Sequence, residues 1–110
     1  MDDKPTAIFA ANDKIAIGAI KAIKEYGLKV PEDISIIGFD NIEESKYLET
    51  PLTTMQMELV EMAELATNNI IDSIENDTNF SENYNVAITL VLRKSCKYLN
   101  YYLFVIKTNN

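Results

Sequence analysis

The chain has 110 residues, 47% hydrophobic and 25% charged, with ten basic against seventeen acidic side chains and a net charge of −7. That length and balance hold one small globular domain, and the acidity argues against a surface that tracks a phosphate backbone, where basic groups must displace counterions. There is no histidine, one cysteine (Cys96) and one arginine (Arg93), which excludes zinc sites, histidine acid–base chemistry, an internal disulfide and a phosphate clamp.

The first predicted element is Thr6 to Ala11, a short apolar run after Pro5 that reads as a strand buried on both faces. From Asp13 to Tyr26 the period changes: Ile15, Ala16, Ala19, Ile20, Ala22, Ile23 and Tyr26 recur at three-and-four spacing, a helix that Gly27 stops. Pro31 marks the next turn. Ile34 to Phe39 is a second continuous apolar strand, ended by Asp40. Asn41 to Pro51 allows one helical turn plus loop, and Leu52 to Met57 is a third strand. A longer helix, Glu58 to Ile74, carries a stripe of Leu59, Met62, Ala63, Ala66, Ile70 and Ile74, with Glu58, Glu61 and Glu64 complementing its N-terminal dipole. After a polar turn, Val86 to Arg93 is a fourth strand. The order predicts an α/β fold with a mostly parallel sheet and flanking helices.

In such sheets ligands bind outside the carboxyl ends of the strands. Asn12 and Asp13 follow the first strand and Asp40 follows the second. If those strands are neighbours, Asn12 and Asp40 converge on one crevice edge, where an amide and a carboxylate together suit the vicinal hydroxyls of a polyhydroxylated ligand. Plain helix capping and turn formation account for the same residues, so the pattern alone leaves both readings open.

Several motifs occur together and in order: the Asn12-Asp13 joint, Gly27-Leu28-x-Val30-Pro31-x-Asp33, Ile37-Gly38-Phe39-Asp40, Pro51-Leu52-Thr53-Thr54, and Leu90 to Cys96. Over residues 5–96 this resembles the LacI/GalR family of bacterial transcription regulators, specifically the effector-binding core with its type I periplasmic-binding-protein-like fold. The resemblance implies that residues 1–96 are the C-terminal part of a sugar-binding core, a partial subdomain, and that 97–110 are a tail outside the family pattern. It implies effector contacts, usually to sugar hydroxyls, at Asn12 and Asp40, with Asp13 capping the following helix. Gln56 and Met57 fall near a polar position the family often keeps at its hinge. Ile17, Ile20, Lys21, Tyr47 and Leu48 match its dimer surface. The helix-turn-helix and the first subdomain of such a regulator have no counterpart here, so these residues alone are expected to bind no nucleic acid and only weakly to bind a sugar or sugar-like effector.

Self-association is expected because the second helix lacks its partner subdomain, and Tyr101 to Ile106 add a further apolar stretch. The competing readings are a fragment of a solute-binding protein of the same fold, and an enzyme. The enzyme reading finds no glycine-rich phosphate loop, no nucleophile with its base and no metal cluster. Adjacent acids at Asp2-Asp3 and Glu43-Glu44 read as solvated surface, and Cys96 lacks a histidine to activate it. No cofactor, no metal, no membrane and a cytoplasmic location complete the expectations.

Overall fold

A computed structural model describes residues 3–77 and 83–98. Its elements are β1 (Ala7–Phe9), α1 (Asp13–Glu25), β2 (Ser35–Ile37), a 3₁₀ turn (Glu43–Lys46), β3 (Thr54–Met57), α2 (Leu59–Glu75) and β4 (Ile88–Val91). The expected order is present, with each strand shorter than its apolar run.

β1 and β2 pair in parallel, Ile8 opposite Ile36, and a parallel bridge from Ile37 to Thr53 extends the same side. The parallel expectation describes this centre. β3 and β4 instead pair antiparallel, Thr54 opposite Val91 through Met57 opposite Ile88, as a separate two-stranded ribbon. Residue period identifies a strand but not its direction; here α2 leads out from β3 and the chain returns alongside it.

The core is small: Ala10, Ala16, Ile20, Val30, Ile34, Ile36 and Leu52, with Ile8, Ala19, Ile23, Leu28 and Leu48 packed around it. Each large aliphatic side chain buried there contributes about 1.5–3 kcal/mol. Along α1 the buried line is Asp13, Ala16 and Ile20, while Ile15 and Tyr26 of the expected stripe face water. Gly27 ends α1 at φ 95°; its N–H donates to Lys24 O (3.0 Å) and that of Leu28 to Ile23 O (3.1 Å), a paired closure that a left-handed glycine permits. The free edge of β2 is held by the chain's later part: Ile36 N–H donates to Ser95 O (2.8 Å), and Ser95 Oγ donates to Ile36 O (2.5 Å) while accepting from Thr53 N–H (2.8 Å).

One expectation of burial fails. β1 is not covered on both faces, since Ala7 and Phe9 are exposed. A continuous apolar run fixes what a strand needs covered, whereas cover depends on segments beside it. α2 has no fully buried residue, in keeping with a second helix that lacks a partner within these residues. Lys97 and Tyr98 are exposed and belong to no strand; the rest of the expected apolar tail lies outside the described residues, as do residues 78–82 of the polar turn.

Candidate functional site

β1 and β2 are adjacent and parallel, so their carboxyl ends share one edge. There Asp13 N–H donates to Phe39 O at 2.9 Å, which sets Asn12 and Asp40 one residue to either side of a direct backbone contact. Both are half-buried. Asn12 is the N-cap of α1: its backbone is extended and its Oδ1 accepts from Ile15 N–H at 2.9 Å. The Oδ1 acceptor is thus committed to the helix, and the amide NH₂ donates to no described residue. The Asp40 carboxylate accepts no hydrogen bond from the described residues, and Asp40 N–H is tied to Met55 O at 2.9 Å. A half-buried donor amide and a carboxylate without a donor among the described residues, on one sheet edge, can together donate to and accept from a ligand's hydroxyls.

Asp13 does not cap α1, as the sequence led us to expect. It is 0% exposed, and its carboxylate turns away from the helix terminus. Oδ1 accepts from Thr54 Oγ1 (2.5 Å) and Oδ2 from Ile42 N–H (2.9 Å), so one carboxylate ties the start of α1 to the loop after β2 and to the start of β3. Gly38 makes room for it: a Cβ there would collide with Asp13 Oδ1 and lie 2.9 Å from Leu52 Cδ2.

The loop after β2 has an unusual backbone. Asp40 and Asn41 both have positive φ, 117° and 57°, a conformation that costs a non-glycine residue about 1–3 kcal/mol and persists only where surroundings impose it. Asn41 Oδ1 accepts from Arg93 Nη2 (2.7 Å) and Ser45 Oγ (3.3 Å), and its Nδ2 donates to Gln56 Oε1 (3.0 Å). Arg93 Nη1 donates to Leu52 O and Ser45 Oγ, each at 2.9 Å. The sequence pointed to Gln56 but to neither Asn41 nor Arg93 as part of this edge. Their partners lie 52 residues apart in the chain, and the only local signal was a lone arginine at the end of an apolar strand.

The sequence model of a periplasmic binding protein-like domain matches residues 1–96. The chain belongs to this family. Among curated relatives, the HTH-type transcriptional repressor PurR of Mannheimia succiniciproducens is 39% identical over 97 residues, 88% of this chain and 29% of that protein. The ribose operon repressor of Haemophilus influenzae is 42% identical over 93 residues, 84% of this chain and 26% of that one. The chain therefore spans less than a third of the length of these relatives. Among solved structures, a LacI family transcriptional regulator from Enterococcus faecium with bound ribose superposes with a TM-score of 0.77 at 31% identity, covering 90% of this chain and 37% of that one. One from Lactobacillus casei with bound sucrose gives 0.70 at 27% identity, covering 84% and 34%. The resemblance read from the motifs thus holds: the relatives and structures this chain matches include transcriptional repressors and LacI family regulators.

The residues of the expected dimer surface are only partly one surface in this family member. Ile17, Ile20, Lys21 and Leu48 line a groove of about 410 Å³ together with Lys24, Glu25 and Glu49. Ile20, however, is only 6% exposed and belongs to the core, because α1 turns it toward Ile36 and Leu52 rather than outward. Tyr47 stands outside the groove at 72% exposure; its hydroxyl donates to Glu43 Oε1 (3.3 Å) and Lys46 Nζ lies 5.2 Å from its ring centre. The Lys46 ammonium beside Glu43 holds that carboxyl below its ordinary range and is itself raised in return. Among the described residues no group of three His, Cys, Asp or Glu side chains could hold a metal, and no helix is long and apolar enough to cross a membrane.

Proposed function

We propose that this chain is effector-binding sequence of a LacI-type, sugar-responsive transcription regulator, with Asn12 and Asp40 as contacts to effector hydroxyls. The observation that carries this reading is a half-buried amide and a carboxylate without a hydrogen-bond donor among the described residues, both at the shared carboxyl ends of β1 and β2. The ribose and sucrose bound by the two similar regulators support a sugar as the effector class. The chain acts by binding and not by catalysis, in the cytoplasm, without a cofactor. Residues 97–110 stand outside the family pattern. Self-association uses the Ile17, Lys21 and Leu48 groove, with Ile20 at its floor and Tyr47 beside it, or the bare face of α2.

Effector sites enclose most of their ligand, whereas these residues offer one edge. Affinity of the 110-residue chain by itself is therefore millimolar or weaker. Titrating the ¹⁵N-labelled chain with D-ribose, sucrose and D-glucose tests the reading. Small, saturating amide shifts at Asn12 and Asp40 are expected. Shifts confined to other surfaces would overturn the site, and micromolar binding would show that these residues already form a whole pocket. A mobility-shift assay is expected to show no salt-sensitive duplex DNA binding, since the charge is −7.

A further inference from the structure

We propose that Arg93 and Asn41 are positioning residues for Asp40, a role that rests on the effector reading above for its purpose but not for its geometry. Asp40 and Asn41 are successive non-glycine residues at positive φ. Asparagine tolerates the left-handed region at 57° better than other L-residues, but Asp40 at 117° lies beyond that region, so its neighbours must hold it there. Six contacts bear on this pair; besides the four that follow, Asn41 N–H donates to Thr54 Oγ1 (3.4 Å) and Asn41 Oδ1 also accepts from Ser45 Oγ (3.3 Å). Asp40 N–H is held by Met55 O (2.9 Å) and Ile42 N–H by Asp13 Oδ2 (2.9 Å), which pins the two backbone ends of the pair. Between them the Asn41 amide is gripped from both sides, by Arg93 through Oδ1 (2.7 Å) and by Gln56 through Nδ2 (3.0 Å).

Arg93 is suited to this because its own place is fixed independently. Its backbone N–H donates to Thr53 Oγ1 (2.9 Å), and Nη1 reaches Leu52 O and Ser45 Oγ at 2.9 Å. The guanidinium thus registers the Asn41 amide against the segment entering β3, using a fork of donors that a lysine ammonium cannot reproduce. The Asn41 amide is spent on protein at both ends, whereas the Asp40 carboxylate accepts no hydrogen bond from the described residues. Arg93, the sole arginine, accordingly acts on the ligand through Asp40 and not by contact.

Two measurements on the whole 110-residue chain test this. The first needs no ligand: the φ-reporting amide coupling and the hydrogen exchange of the Asp40 N–H, compared in the wild type, Arg93→Lys, Asn41→Ala and Asn41→Gly. Arg93→Lys and Asn41→Ala are expected to shift the Asp40 coupling and speed its exchange by about tenfold, with Ala10 and Ile36 amides unchanged. Asn41→Gly, which adopts positive φ freely, restores the Asn41 backbone but not the grip, and is expected to fall between. An Asp40 coupling and exchange unchanged in Arg93→Lys and Asn41→Ala would overturn the proposal, as would loss of Ala10 and Ile36 protection in both, which marks general destabilisation. The second is the ribose titration. Arg93→Lys is expected to weaken ribose about tenfold, and undiminished ribose binding by a variant with a displaced Asp40 also overturns the role. A wild-type chain whose Asn12 and Asp40 amides respond to none of the three sugars sinks the effector reading instead, while the clamp is still judged by the first measurement.

Discussion

The two helices carry equally clear apolar stripes and end in opposite states. α1 lays Ala16 and Ile20 against Ile36 and Leu52, and its N-terminal Asp13 reaches into the same interior. α2 runs longer, is as regular, and buries no residue fully, with only Leu65, Asn69 and Ser73 half-covered; with β3 and β4 it forms an arm whose outward residues include Leu59, Val60, Ile70, Ile74, Ile88 and Leu90. A stripe states what a helix needs. Whether the need is met depends on neighbours, and α1 has β2 and the Leu52–Thr54 segment where α2 has only the edge of its own ribbon. The difference also explains where the candidate site sits: on the region whose backbone is held from several sides.

The buried tie at Asp13 is where that difference is greatest. Asp13→Ala leaves the buried Thr54 Oγ1 and the part-buried Ile42 N–H without their acceptor, at about 1–3 kcal/mol for the first and less for the second, so a loss of about 2–4 kcal/mol is expected in urea unfolding. Gly38→Ala forces a methyl onto the same carboxylate and Leu52, and about 3 kcal/mol is expected. Against a small domain's total these changes approach complete unfolding. A wild-type midpoint for Asp13→Ala would show that the core is not organised around this carboxylate.

Next in size is a matched pair of truncations. Ile36→Ala, at a 0% exposed site, is expected to cost about 3 kcal/mol. Ile70→Ala on α2 should stay within about 0.5 kcal/mol where the chain is monomeric. If α2 becomes covered when chains associate, the Ile70→Ala penalty grows with protein concentration, and light scattering over the same range shows the larger species. A large, concentration-independent penalty would mean that α2 is covered within one chain and would erase the contrast between the helices.

What could be read from residues alone follows the same division. The Asn12 joint, the Gly27 stop and the carboxyl-end position of Asp40 were legible because each depends on a few neighbours in sequence. The inward turn of Asp13 was not: its acceptor sites are filled by Thr54 and Ile42, 41 and 29 residues away. Nor was the Arg93 grip, nor the antiparallel β3–β4 pairing, since each is decided by how distant segments meet. Ile20 shows the limit within a single helix: the spacing marks it as apolar, but only the fold shows that it belongs to the core and also lines the groove beside Ile17 and Leu48.

A smaller effect separates the two edge residues. Asn12→Ala removes the α1 cap and should cost about 1 kcal/mol. Asp40→Gly removes no protein hydrogen bond and relieves a positive φ, so a gain of about 0.5–1 kcal/mol is expected. Thermal melts decide this. A loss of stability in Asp40→Gly would show that its carboxylate has a structural partner, which would weaken its assignment as a ligand contact.

The smallest expected effect concerns Cys96, at the seam where the chain leaves β4 and returns to the edge of β2. Its thiol is half-buried and donates to Ile36 O at 3.2 Å. Burial pushes its titration above the ordinary value of 9.0, with hydrogen bonds to Thr53, Ser95 and Ile36 opposing that in part. Because the folded thiol titrates higher than the unfolded one, its contribution to stability is fully present below pH 9.0 and is lost as pH rises through the folded value. At pH 8 the folded chain therefore holds less thiolate than the unfolded chain, and alkylation by iodoacetamide should be several-fold slower in buffer than in urea. Exposed β4 residues such as Leu90, substituted by cysteine, provide the internal comparison and should react at nearly the unfolded rate. Equal native rates at Cys96 and at Leu90→Cys would mean that the seam is as open as the arm, and that the boundary between the two regions lies further into the core than Ser95.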